Sequence, residues 1–113
     1  MLSSKYRFHS RGGVNYTYKH GRSLRASPLS LVYAINSRRK QRFAVVVSKK
    51  VIKSAVGRNR IRRRVYEAIR SQLPELKTPT DCIFIVHSRE VATMKFSTLT
   101  SQVKDLLDKA KLL

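Results

Sequence analysis

Apolar residues recur at strand-like spacing in some parts of the chain and at helix-like spacing in others. After a break at Pro28, the segment LSLVYAI at 29–35 places large apolar residues on alternate positions, which is typical of a strand. The runs RFAVVVS at 42–48 and CIFIVH at 82–87 are short and rich in β-branched residues, which favours buried strands. We expect about three strands before residue 50, forming a small antiparallel sheet.

The first helical segment is GGVNYTYKHG at 12–21. It places Val14, Thr17 and Tyr18 at helical spacing and ends at Gly21, a residue suited to the left-handed position that follows many helices. We therefore predict a short helix ahead of the strands.

Two longer helices are predicted in the second half of the chain. One runs from about Ala55 to Leu73, where Pro74 stops it, and the loop PELKTPTD follows. The segment 95–113 keeps a helical apolar stripe of Phe96, Leu99, Val103, Leu106, Leu107 and Ala110. The order helix, three strands, helix, strand, helix predicts an α+β fold with helices packed on one sheet. Without internal repeats or a dividing linker, residues 1–113 should form a single domain.

The sides of the middle helix differ in chemistry. An apolar arc should lie against the sheet, and it consists of Ile61, Val65, Ala68 and Ile69. The opposite side should face outward with its guanidinium groups free, and it carries Arg60, Arg63, Arg64, Glu67 and Arg70. A row at i, i+4 and i+8 lies between these sides and should look into a groove at the edge of the sheet: Arg58, Arg62 and Tyr66.

Charge indicates the class of partner. Lys and Arg number 25 against 6 Asp and Glu, which gives a formal net charge of +19. Residues 1–66 hold 18 of the basic residues and none of the acidic ones, so the charge is concentrated rather than interspersed. Arg outnumbers Lys on the middle helix, and its planar fork suits phosphate oxygens and stacks on bases. We expect a nucleic-acid partner.

The apolar runs at 43–47 and 82–86 are far too short to cross a bilayer, and MLSSKYRFHSRGG lacks the apolar core of a signal peptide. We therefore expect a cytoplasmic protein without a membrane partner. Cys82 is the only cysteine, so no internal disulfide can form, and within CIFIV it should be a small buried hydrophobe.

The sequence does not favour a protein nuclease. Such enzymes usually cluster carboxylates around metal ions or place a general acid and base together. Here the carboxylates are expected on two helices and two loops: Glu67, Glu75, Asp81, Glu90, Asp105 and Asp108. The histidines lack diagnostic spacing and are better explained as RNA contacts or surface residues: His9, His20 and His87. We expect no catalytic residue, no metal site and no bound cofactor in the protein.

One block, FAVVVSKKVIKSAVGRNRIRRRVYEAIR, resembles the signature of the bacterial ribonuclease P protein component. YKHGRS at 18–23, the strand LSLVY and the final helix fall where that family has counterparts, so the resemblance covers nearly the whole chain. It implies a ribosomal protein S5 domain 2-like fold with a left-handed βαβ crossover. It also implies a subunit that assists a catalytic RNA in removing the 5′ leader from precursor tRNA, with Mg²⁺ at the RNA and no obligate protein partner.

The resemblance also assigns site residues. Contacts to the catalytic RNA are expected at Lys49, Lys50, Arg58, Asn59, Arg60, Arg63 and Arg64. A groove between the sheet and the arginine helix is expected to hold the single-stranded leader with Tyr18, Tyr33, Arg58, Arg62 and Tyr66. Tyr33, taken alone, is either a stacking platform or a core residue. The sequence departs from the family pattern at two positions of this groove. Val14 stands where the family usually has an aromatic residue, and Tyr66 stands where it often has a basic one.

Two other functions compete with this one. A ribosomal or other structural RNA-binding protein would have similar size and charge. A DNA-binding module is disfavoured because the arginine helix has no helix-turn-helix partner and no dimer seam is evident.

Overall fold

The helices and strands follow one another in the predicted order. The computed structural model describes residues 6–7, 11–36 and 41–112, and of residues 11–15 the backbone alone. The elements are α1 (Arg11–His20), β1 (Arg22–Ala26), β2 (Leu29–Ile35), β3 (Arg42–Val47), α2 (Ala55–Arg70), β4 (Thr80–Val86) and α3 (Phe96–Lys109). Single 3₁₀ turns precede β4 and α3, at Leu73–Glu75 and Arg89–Ala92. The α+β fold is confirmed.

The four strands form one mixed sheet in the order β1-β2-β4-β3. β2 pairs antiparallel with β1 and β4, whereas β3 pairs parallel with β4. The expected antiparallel sheet of the first three strands is therefore wrong for β3. The reason is that α2 carries the chain from the end of β3 back to its start, so β4 enters between β2 and β3 and runs parallel to β3. The hand of this crossover stays a prediction.

The larger core cluster lies between the sheet and the helices α2 and α3. Side chains alternate across a strand, so Phe43, Val45, Cys82 and Phe84 share one face, and all are buried there. The predicted arc of α2 is confirmed, since its four residues are fully buried in this cluster: Ile61, Val65, Ala68 and Ile69. This packing orients α2, because burying one arc turns the opposite side to solvent.

A smaller cluster occupies the other face of the sheet. Val32 and Ala44 both neighbour Ile83 across the strands, and the three form the buried part of this cluster. α1 contacts the central strands β2 and β4. None of its described side chains joins either apolar cluster.

Gly21 follows α1 as predicted, but for a different reason. No glycine within the described residues has a positive φ, so the expected left-handed position is wrong. A Cβ on Gly21 would come within 2.5 Å of the Thr17 carbonyl oxygen and 2.6 Å of the Tyr33 carbonyl oxygen. Glycine is required because the end of α1 passes directly against the backbone of β2.

Two other boundaries differ from the prediction. α2 ends at Arg70 rather than Leu73, because the chain tightens into a turn in which the Gln72 amide donates to the Ile69 carbonyl before Pro74 is reached. Phe96 was expected in the buried stripe of α3, yet 44% of its surface is exposed. It is the first residue of the helix, one turn before the buried Leu99. Within the described ranges, no helix has both the length and the apolarity to span a membrane.

Candidate nucleic-acid interface

The start of α2 is closely joined to the basic loop that precedes it. The Ser54 hydroxyl caps the helix by accepting from the Gly57 amide at 3.2 Å. A Cβ on Gly57 would lie 2.5 Å from Cδ1 of Ile52, so glycine allows the loop to pack on the first turn. Arg58 donates to the carbonyl oxygens of Ile52 and Lys53, at 3.1 and 2.7 Å. Arg58 thus fixes the loop that carries three exposed lysines, Lys49, Lys50 and Lys53.

The outward side of α2 contains two arginines whose charge is uncompensated. Arg60 and Arg63 are exposed, and neither forms an ion pair or hydrogen bond with the residues the structure describes. The first turn of the helix has no acidic residue, so the positive end of its dipole adds to these charges. Arg70 lies two turns further on and pairs with Glu67 at 2.9 Å. We call Lys49, Lys50, Lys53, Asn59, Arg60 and Arg63 the basic face.

Arg64 does not have the free guanidinium predicted for it. Its Nη1 donates to the Val91 carbonyl at 2.8 Å, and its Nη2 donates to the Met94 carbonyl at 2.5 Å. These bonds tie α2 to the 3₁₀ turn before α3, and they use two of the five donors of the guanidinium. The expectation failed because helical spacing shows on which side Arg64 lies but not which distant loop covers that side.

Arg62 lies on the border between the basic face and the core. Its Nη1 donates to Oδ1 of Asn59 at 2.7 Å, one turn earlier on the helix. The side chain is half-buried, and its charge acts on the neighbouring Tyr66 hydroxyl. Asn59 thus holds the Arg62 guanidinium along the helix at the predicted edge.

Tyr66 does not line an open groove. Only 6% of its surface is exposed, and the ring packs within the larger core cluster. Burial raises the pKa of the hydroxyl, while a hydrogen bond with the Val45 backbone and the charges of Arg7 and Arg62 act in the opposite direction. The Arg7 guanidinium carbon lies 5.9 Å from the ring centroid. Tyr66 is therefore not exposed to a ligand in the predicted groove between α2 and the sheet.

The two tyrosines expected in the leader site have different surroundings. Tyr33 is half-buried on β2 and packs against the larger core cluster, between Arg22 of β1 and Cys82 of β4. Tyr18 lies on α1 with 45% of its surface exposed, and partial burial raises the pKa of its hydroxyl. The end of α1 meets β2 at the Tyr33 carbonyl, which lies against Gly21, three residues after Tyr18.

Comparisons with known proteins identify the family of this chain. A sequence model of the family described as Ribonuclease P matches residues 2–111. The ribonuclease P protein component of Roseiflexus castenholzii is 37% identical over 96% of this chain and 88% of its own length. That of Chloroflexus aurantiacus is 40% identical over 84% of this chain and 70% of its own.

The chain belongs to the ribonuclease P protein family.

Solved ribonuclease P proteins share its fold. That of Staphylococcus aureus superimposes with a TM-score of 0.81 at 24% identity, over 95% of this chain and 96% of its own. That of Thermotoga maritima has a TM-score of 0.81 at 23% identity, over 91% and 96%. Membership makes the chain a protein component of ribonuclease P, an endoribonuclease complex of tRNA 5′ maturation that contains ribonuclease P RNA.

Two polar side chains away from the basic face of this ribonuclease P protein, Asp81 and His87, have structural partners. Asp81 lies in β4 rather than in the predicted loop, where it is buried against Arg42 and accepts a further bond from Asn36 at 2.8 Å. His87 Nε2 lies 2.5 Å from the Ser30 hydroxyl. In the described part of the chain, no three His, Cys, Asp or Glu residues come together as a metal-binding group.

Two surface aromatic features of the ribonuclease P protein were not predicted from the sequence. Tyr16 and His20 stack on α1 with ring centroids 4.4 Å apart, and their i, i+4 spacing was a visible signal. Exposure of Phe96 had no such signal, because the residue continues the apolar spacing of α3.

Proposed function

We propose that this chain docks on ribonuclease P RNA through the basic face and assists release of the 5′ leader from precursor tRNA. The exposed pair Arg60 and Arg63 carries the proposal. Both guanidinium groups project from a helix that is anchored by its buried arc, so they are positioned without being neutralised by described residues. Such a surface suits phosphates along an RNA strand.

The lysines of the preceding loop extend this surface. Arg58 binds the backbone carbonyls of Ile52 and Lys53, so we assign it the role of holding the loop beside the helix. Lys49 and Lys50 are then presented next to Asn59 and the exposed arginines. Arg64 is left out of the RNA contacts, since its guanidinium is engaged with α3.

We propose that the leader of precursor tRNA contacts a second surface. Tyr18 offers an exposed ring near the junction of α1 and β2, where an unpaired base can stack. Arg62 provides a cation at the edge of α2, and Tyr33 borders the same junction with a half-buried ring. Tyr66 has no part in this site because it is buried.

In this proposal the RNA carries out hydrolysis with Mg²⁺ bound to it, and the protein provides binding. The whole chain acts as one ribonuclease P protein domain in the cytoplasm and needs no other protein partner. Its cationic and aromatic side chains bind phosphates and bases of RNA. Their role is to position these groups at the reactive centre of the RNA.

Reconstitution tests the proposal. The chain is combined with ribonuclease P RNA and precursor tRNA at low Mg²⁺, and release of the 5′ leader is followed. We expect strong stimulation by the wild type and loss of stimulation on replacing Arg60 and Arg63 together by Ala. Replacing the exposed Lys104 and Lys109 of α3 by Ala removes the same charge and should have little effect.

Two results would contradict the proposal. The first is RNA binding without any increase in leader release, which would indicate a ribosomal or other structural RNA-binding protein. Equal loss in the control and the arginine variant would show that overall charge, rather than the basic face, is responsible.

A further inference from the structure

A shallow depression of about 410 Å³ lies where α2 meets the start of α3. It is lined by Arg63, Arg64, Glu67, Arg70, Ser71 and Phe96. Its volume is near the lower end of the roughly 300 to 1,000 Å³ typical of small-molecule sites. The depression adjoins the basic face, since Arg63 belongs to both.

The Phe96 ring is the apolar part of this depression. The remaining residues of the predicted α3 stripe are buried, whereas Phe96 keeps 44% of its surface in contact with solvent. It belongs to neither core cluster. An aromatic ring exposed beside arginines presents a π face with cations at its rim, a combination that binds bases of single-stranded RNA.

The bonds of Arg64 hold the backbone segment that leads to Phe96. Its guanidinium holds the Val91 and Met94 carbonyls, in the segment that leads directly into α3. The position of Phe96 is thereby fixed relative to α2. Arg63 on the same helix remains exposed and makes no hydrogen bond to the described residues. The depression thus combines an exposed aromatic residue, on a backbone held against α2, with an available cation.

We propose that this depression receives one unpaired nucleobase of the ribonuclease P RNA, stacked on Phe96, while Arg63 contacts the adjoining phosphate. This rests on the proposed function, because the RNA must already lie along α2. A net charge of +19, and three arginines against one glutamate in the lining, favour a polyanionic strand over an apolar peptide. Stacking on an aromatic side chain is tolerant of base identity.

Affinity for ribonuclease P RNA tests the stacking. Phe96→Ala should weaken binding by about 5- to 150-fold, the loss expected for one base-stacking contact. Phe96→Leu keeps apolar bulk but has no π face, and it should lose nearly as much. Phe96→Tyr should bind like the wild type. Ile35→Ala is the matched control, since Ile35 is 72% exposed at the end of β2 and should tolerate the change.

Salt dependence separates stacking from charge. Phe96→Ala should lower affinity by the same factor at every salt concentration. Arg63→Ala should reduce the logarithmic salt slope by roughly 0.7 to 0.9, the change for one phosphate contact. A changed slope in Phe96→Ala would overturn stacking as the cause of its loss.

Fluorescence gives a direct readout because the chain has no tryptophan. Phe96→Trp introduces a single indole, and stacking on a base should quench it as RNA is added. Ile35→Trp, the control, should keep its emission. Phe96→Trp emission that does not change at saturating RNA overturns the proposal.

Two failures are distinguishable. If Phe96→Leu binds like the wild type while the Arg60 and Arg63 double variant binds weakly, the base site is wrong and the proposed function stands. If the wild-type chain itself does not bind ribonuclease P RNA, the proposed function is wrong as well. Thermal unfolding of each variant shows whether a loss arises from misfolding, and Phe96→Leu is the variant expected to keep the native stability.

Discussion

Arg42 and Asp81 form a two-point ion pair between the parallel strands β3 and β4. Nε of Arg42 donates to Oδ1 of Asp81 at 2.8 Å, and Nη2 donates to Oδ2 at 2.6 Å. The two residues are direct neighbours in the strand register, and their side chains are only 13% and 8% exposed. The pair joins β3 and β4, the two strands that α2 connects. It therefore stabilises the part of the sheet that positions α2 and the arginines of the basic face.

Breaking this pair should destabilise the protein. Arg42→Ala or Asp81→Ala removes the opposite charge from a largely buried ion pair, and we expect a loss of about 3 to 5 kcal/mol in the free energy of unfolding. The double variant should lose less than the sum of the two. Urea unfolding at pH 7 measures all three, and strict additivity would show that the pair contributes no coupling.

Arg63 and Arg64 are adjacent and carry the same charge, but replacing each by Ala should change the free energy of unfolding by different amounts. Arg64→Ala removes two hydrogen bonds from a charged donor, each worth roughly 1.5 to 3 kcal/mol, and frees the turn before α3. Arg63→Ala should change stability by less than about 0.5 kcal/mol. Denaturant titration of both variants measures the difference. Equal effects would mean that the Arg64 bonds do not hold in solution.

The salt dependence of RNA binding should identify the phosphate contacts. Arg60→Ala and Arg63→Ala should each lower the logarithmic salt slope for ribonuclease P RNA by roughly 0.7 to 0.9. The Lys104→Ala control on α3 should leave the slope unchanged. Binding is measured at several salt concentrations, and an unaltered slope in a folded Arg60 variant would remove that residue from the interface.

Leader recognition should depend on Tyr18. Tyr18→Ala should weaken binding of precursor tRNA by the reconstituted holoenzyme by about 1 to 3 kcal/mol, the value of one stacked base. Binding of mature tRNA should be unaffected because it has no leader. Arg62→Ala should show the same selectivity, whereas Tyr66→Phe should bind both tRNAs normally. Dissociation constants for leaders of increasing length test this, and equal losses for both tRNAs would contradict it.

Cys82 should make stability fall at alkaline pH. Burial, with a smaller effect of Asp81, raises the pKa of this thiol above its usual range. Its stabilising contribution is complete below the unfolded pKa of about 8.5, and it declines as pH rises because only the unfolded thiol ionises. Between pH 8.5 and 9.5 the wild type should lose about 1 kcal/mol more than Cys82→Ala. If urea titrations show the same loss of stability with pH for the wild type and Cys82→Ala, the thiol ionises equally in the folded and unfolded states.

The element order and the faces of α2 were predictable because they depend on local spacing. Burial of Ile61 and Ile69 and exposure of Arg60 and Arg63 follow from placing one helix on a sheet. Strand pairing was not predictable in the same way. The position of β4 between β2 and β3 depends on where α2 returns the chain, and no spacing within a strand records it.

The sequence by itself determined the family, the concentration of positive charge and the residues able to contact RNA. Only the tertiary structure decided which of those residues are available. Arg64 is engaged with the turn before α3, Tyr66 is buried beneath Arg7, and Phe96 remains exposed. The physical reason is that a helical position specifies a direction from the helix axis, whereas availability depends on what distant segments place in that direction.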